Sequence, residues 1–132
     1  MLGARAGLSS SVLLEKTAVF REFKGSLTEQ YVQQQLRAEC DIEPCYWQNE
    51  SARSEVDFVF QFDMRIVPVE VKAETNTKAK SLINYCRKYT PPVAIRCSMN
   101  DYATSQLPLS DESFTRLVDL PLYAVFLMPR LL

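Results

Sequence analysis

Asp57 and Glu70, with Lys72 two residues further on, are the residues in this chain best suited to chemistry. Two carboxylates and an ammonium group suit a hard cation such as Mg²⁺ or Mn²⁺ and a phosphate ester beside it. The chain has no histidine. That removes the usual general base, the Ser-His and Cys-His nucleophile systems and the commonest zinc ligand. Cys40, Cys45, Cys86 and Cys97 form no C-x-x-C pair. They read as reduced thiols of a cytoplasmic protein, behaving as small hydrophobes.

The elements that must hold these groups are two strands. Residues 55–61 and 66–72 are rich in Val and Phe and give the strongest strand signals. A hairpin turning at Asp63-Met64 opposes Val56 to Val71, Phe58 to Val69 and Phe60 to Val67, an all-apolar face. The other face then opposes Glu55 to Lys72 and Asp57 to Glu70. Opposed Cβ atoms lie about 4.5–5.5 Å apart, so two carboxylates there repel unless a cation or a proton sits between them. Lys72 follows on the same strand face. The plainer alternative is a half-exposed hairpin with a Glu55–Lys72 surface ion pair worth about 0–1 kcal/mol. Asp63-Met64 also lacks the glycine that a two-residue turn favours.

Around this hairpin, residues 24–39 have Leu27, Tyr31, Val32 and Leu36 at helical spacing, with Gly25-Ser26 as the entry. Ser9-Ser10-Ser11 before Val12-Leu13-Leu14 marks a weak helix start. Residues 44–48 read as a short strand and 76–89 as a second amphipathic helix. Residues 92–98 read as a further strand and 99–113 as polar loop. Pro121 opens a last piece through Tyr123, Phe126 and Leu127. The expectation is an α/β fold, a mixed β-sheet core flanked by helices.

Composition narrows the function. The formal net charge is −1, whereas dedicated nucleic-acid-binding domains are usually basic. A nucleic-acid role therefore needs a local basic patch, a metal or another domain. Lys78, Lys80, Arg87 and Lys88 could supply phosphate contacts, or form a solvated helix face. Tyr46 and Trp47 could stack on bases or pack in the core, and Gln48 could face the same site. No apolar run is long enough to span a membrane.

Asp57, twelve intervening residues and Glu70-Val71-Lys72 resemble the signature of the PD-(D/E)XK nuclease superfamily. Its usual elements are a helix with an acidic residue, a strand with an aspartate and a strand with Glu-x-Lys. Glu29 supplies the helix residue, and Val56 stands where the proline would be. The text Lys24-Gly25-Ser26-Leu27-Thr28-Glu29-Gln30-Tyr31-Val32 is similar to the opening of one subgroup. So are Tyr46-Trp47, Glu55 to Val59 and Val67 to Lys72. That subgroup is a domain of unknown function at the C-terminal end of many AAA-type ATPases. The resemblance runs from about Leu2 to Pro129, and Leu2-Gly3-Ala4 is similar to the segment joining that domain to its neighbours.

The resemblance implies a restriction-endonuclease-like fold over residues 24–132, with 1–23 as a lead-in from a missing N-terminal region. It implies Mg²⁺ or Mn²⁺ held by Asp57, Glu70 and the Val71 carbonyl, with Lys72 as the catalytic cation and Glu29 as an auxiliary group. The implied partners are DNA and an attached ATPase module, in an assembly that could be oligomeric. No G-x-x-x-x-G-K-[ST] loop is present, so ATP hydrolysis is not assigned to these residues. Two alternatives stay open: a silent nuclease-fold interaction domain, and a domain whose metal is structural.

Overall fold

The computed structural model describes residues 18–51, 53–74 and 78–132, with side chains from Lys24 onward. The weak helix start at Ser9–Leu14 and the joining segment at Leu2–Ala4 lie outside the described residues.

The first helix of the described residues, α1, is longer than its apolar spacing predicts and runs from Ala18 to Cys40. It passes through Gly25 and Ser26, which are therefore interior to it and not its entry. Val32 and Leu36 are fully buried, while Tyr31 stays 39% exposed. Asp41 ends the helix at positive φ, and the Ile42 N–H donates to the Leu36 carbonyl at 2.8 Å, a closure that satisfies a terminal carbonyl.

Three strands follow: β1 (Cys45–Gln48), β2 (Glu55–Phe62) and β3 (Arg65–Val71). Helix α2 spans Lys80–Tyr89 and leads into β4 (Val93–Ser98). Residues 99–113 are not all loop, because β5 covers Ala103–Pro108. It pairs antiparallel with β6 (Phe114–Pro121), which has no counterpart in the sequence reading. A 3₁₀ segment, Leu122–Leu131, closes the chain and buries Val125 and Met128 against the core.

The six strands form one mixed sheet in the order β1-β2-β3-β4-β6-β5. β3, β4 and β6 are parallel, and the other pairs are antiparallel. The main core lies between α1, the 3₁₀ segment and one sheet face carrying Phe58, Phe60, Val69, Ile95 and Val118. A smaller cluster joins α2, through Leu82, Tyr85 and Cys86, to Val56, Ala94 and Leu117 on the other face. Trp47 packs edge-on against Tyr85 and Tyr89 of α2.

The β2–β3 hairpin keeps the predicted register from Phe58↔Val69 to Phe62↔Arg65. Its two turn residues, Asp63 and Met64, both have positive φ (51° and 68°). This is the twist-matched two-residue turn, made without glycine. The left-handed conformation costs an L-residue about 1–2 kcal/mol, and Met64 is 90% exposed. Met64→Gly is expected to raise stability by about 0.5–1 kcal/mol after the glycine's own entropy cost. An unchanged or lowered urea midpoint would show that the turn carries no strain.

One feature of β2 departs from the sequence reading. Against β1, Cys45 pairs with Val59 but Trp47 with Val56, so β2 carries an extra residue there. Such a bulge breaks strict alternation and bends the strand. Val56 consequently leaves the Phe58–Phe60 face and packs in the α2 cluster. The expected pairs Val56–Val71, Asp57–Glu70 and Glu55–Lys72 are not part of the β2–β3 ladder.

Candidate functional site

The bulge gives Asp57 its role. The Asp57 side chain turns to β3, where Oδ2 accepts the Val71 N–H at 2.7 Å. Val71 remains in the main core, and Glu70, alternating with it, presents its carboxylate to the opposite face. The carboxylate pair expected from direct opposition is therefore built by a side-chain-to-backbone bond.

Glu70 is 7% exposed, and its Oε1 lies 2.7 Å from Lys72 Nζ. Lys72 is thus paired along its own strand with Glu70, not across the hairpin with Glu55. The Lys72 N–H donates to the Cys97 carbonyl at 2.8 Å, tying the end of β3 to β4. Glu55 instead accepts the Tyr46 hydroxyl. The second Glu70 oxygen, Oε2, is buried with no hydrogen-bond partner. An orphaned buried acceptor costs about 1–3 kcal/mol, more when charged.

Glu29 reaches this cluster from α1 and hydrogen-bonds Asp57 through its side chain. Partial burial, followed by the nearby charges of Asp57, Glu70 and Glu55, raises its pKa from 4.5 to about 7. Burial also raises Asp57, against the lowering effects of the Val71 N–H and Lys72. Glu70 is raised by burial and by Asp57, with Lys72 opposing. Burial is the first cause of all three shifts and the neighbouring carboxylates add to it, so the charged forms are disfavoured without a cation. Asp57 and Glu70 are the side chains here that could hold a divalent ion. Among the described residues, no three His, Cys, Asp or Glu side chains form a metal-holding group, so an ion here would complete its shell with water or substrate oxygens.

A raised carboxyl pKa means that the folded state binds the proton more tightly than the unfolded chain. Stability in EDTA is therefore expected to fall as pH rises from about 4.5 to about 7, the window set by Glu29. Glu29→Gln should flatten that slope and raise stability at alkaline pH. Urea midpoints measured at pH about 5 and about 8 check this; equal slopes in both proteins would rule Glu29 out as the source.

The other candidates divide. Gln48 pairs with Glu55 at the exposed edge, and Tyr46 lies beside the cluster through Glu55. Trp47 is committed to α2. Lys78 and Lys80 lie near the site end of α2, but Arg87 and Lys88 lie about 10 Å further along it, so the four do not form one patch. Cys86 and Cys97 are buried, which pushes their thiols up to about 11 and about 12; all four cysteines are free.

Sequence reading missed Arg96 and Asp119. They pair across parallel β4 and β6, with Nε–Oδ1 at 2.6 Å and a second bond of 2.9 Å to Oδ2. Glu70 is the backbone partner of Arg96 on β3, so Glu70, Arg96 and Asp119 form one cross-strand row. The available signal was a single charge inside each of two apolar runs, Val93 to Cys97 and Leu117 to Leu120.

Comparison with curated proteins gives no match. No helix among the described residues is long and apolar enough to cross a membrane. The family model for "Domain of unknown function (DUF4143)" matches residues 24–122, well over half of the chain and all of the site. The chain belongs to the DUF4143 family.

Proposed function

We propose that this domain is a restriction-endonuclease-like, Mg²⁺- or Mn²⁺-dependent phosphodiesterase acting on DNA, working in the cytoplasm as part of an AAA-type ATPase. The observation that carries this reading is the buried, unpartnered Glu70 Oε2 beside Asp57 and Lys72. The element order supports it: a helix bearing Glu29, a strand bearing Asp57 and a strand bearing Glu70-Val71-Lys72. Asp57, Glu70 and the Val71 carbonyl would hold the ion, whose chemistry is Lewis-acid stabilisation of phosphoryl oxygens. Lys72 places its ammonium where it can donate to a phosphate oxygen and orient the attacking water. Glu29 holds Asp57 in position and exchanges a proton with the cluster.

Calorimetric titration of Mg²⁺ and Mn²⁺ into wild-type and Asp57→Asn protein, followed by plasmid nicking, tests the proposal. Binding lost in Asp57→Asn, with nicking confined to wild type, is the expected result. Lys72→Ala should bind the ion but nick about 10²–10³-fold more slowly. Absence of ion binding in wild type would refute the reading.

The net charge of −1 favours a second reading, a silent nuclease-fold domain that serves the ATPase by docking, oligomerisation or DNA tethering. Ion-independent DNA binding with no nicking would support it.

A further inference from the structure

A cavity of about 320 Å³ lies between Tyr31, Ser98, Met99, Pro121, Leu122 and Tyr123. That is within the range of small-ligand pockets, about 300–1,000 Å³. Tyr31, Met99 and Tyr123 are 39%, 62% and 74% exposed, so large apolar side chains stand open around it. None of the six lining residues is charged. The buried Ser98 hydroxyl accepts the Asn100 N–H. Such walls suit a flat, uncharged, polarisable ring and not a phosphate or carboxylate.

The cavity opens at the same end of the sheet as the carboxylate cluster. Val71 pairs with Cys97, and Cys97 with Leu120. One residue further on, Ser98 and Pro121 end parallel β4 and β6, level with Lys72, which directly follows β3. Crevices outside the carboxyl ends of such strands are the usual place for ligands. Two strand spacings, about 10 Å, separate Lys72 from Pro121, comparable to three stacked nucleotide rises of about 3.4 Å each. α1 serves both places. Residues two apart on a helix point about 200° apart, so Glu29 reaches towards β2 while Tyr31 flanks the ends of β4 and β6.

We propose that this cavity holds an unpaired nucleobase of a DNA strand whose phosphate lies at Glu70 and Lys72, making the substrate single-stranded or frayed DNA. The phosphate placement rests on the nuclease reading; the base placement rests on the cavity itself. Stacking on aromatic rings adds about 1–3 kcal/mol per base, so the cavity would supplement the charge that Lys72 offers a phosphate. A base enters the cavity only when it is out of the stack, which costs a duplex its pairing and a single strand little.

The test compares a short labelled single strand, the same strand with an abasic site, and its duplex, by fluorescence anisotropy in EDTA and in Mg²⁺. Cleavage is followed in the Mg²⁺ samples. The single strand should bind better than the duplex or the abasic strand. Tyr31→Leu with Tyr123→Leu should weaken binding about tenfold or more, the scale of one lost stacked base. Tyr123→Trp should retain binding, and circular dichroism checks the fold of each variant. Binding unchanged in the double leucine variant, or a preference for duplex, overturns the proposal even where cleavage persists. Ring-dependent binding without cleavage upholds it and refutes the nuclease reading instead. A concentration-dependent dimer that Tyr123→Leu dissociates, with no oligonucleotide binding, overturns it and assigns the surface to a second copy of the chain.

Discussion

With Glu70 replaced by glutamine, the protein is expected to lose cation-dependent cleavage by at least about 10²–10³-fold and yet to melt higher in EDTA. The two effects have one origin. Glu70 is 7% exposed, with Lys72 on Oε1 and nothing on Oε2, and burial together with Asp57 disfavours its charge. Glutamine keeps an acceptor for Lys72, removes the buried charge and relieves Asp57 and Glu29. The gain in EDTA should be about 1 kcal/mol, or roughly 4 °C for a chain of this size. If Mg²⁺ binds as proposed, the order should reverse. An ion at a hundred times its Kd stabilises wild type by about 2.7 kcal/mol, and glutamine should forfeit most of that. Differential scanning calorimetry of both proteins, with EDTA and with Mg²⁺, reads the crossover directly. A Glu70→Gln protein that melts lower in EDTA, and still gains from Mg²⁺ as wild type does, would identify Glu70 as a structural carboxylate.

That crossover depends on geometry only half legible in the sequence. Alternation of Val and Phe was enough to set Phe58 against Val69 and Phe60 against Val67, because a one-residue slip would expose both sets of apolar side chains. The same alternation misplaced Val56. Its extra residue arises from pairing with β1, whose four residues carry little pattern, and a bulge leaves no mark in the composition of the bulged strand. Asp57 and Glu70 did come together, but through the Val71 N–H. Glu29 was legible only by resemblance, since an acidic residue on a polar helix face is normally solvent-facing. β5 was illegible for a different reason: it is an edge strand, mostly exposed, with the polar character that protects sheet edges. β6 was hidden by Arg116 and Asp119, which interrupt its apolar run and find their reason only once β4 lies alongside.

That neighbour makes Asp119→Ala the most damaging substitution expected outside the core. Arg96 and Asp119 are 18% and 13% exposed and meet through two bonds. Breaking a fully buried pair by removing one partner costs about 3–5 kcal/mol; some solvent reaches this one, so about 2–4 kcal/mol is expected. Against a typical domain stability of about 5–15 kcal/mol, that is a large fraction. Replacing both residues, Arg96→Met with Asp119→Leu, should recover most of the loss, because neither charge is then left desolvated. Urea denaturation of the two variants measures this, and an Asp119→Ala midpoint equal to wild type would mean the pair contributes nothing. The same substitutions bear on the site. Arg96 stands one strand spacing, about 4.8 Å, from Glu70 in the backbone register, and Asp119 holds its guanidinium towards β6. Without Asp119 the guanidinium loses the carboxylate that balances it on β6, and more of its charge bears on Glu70, where it competes with a divalent ion. Asp119→Ala should therefore weaken ion binding, while the double variant, which has no guanidinium to compete, should bind the ion as wild type does. Calorimetric affinities that fall equally in both variants would show that Asp119 acts on the ion through the fold alone.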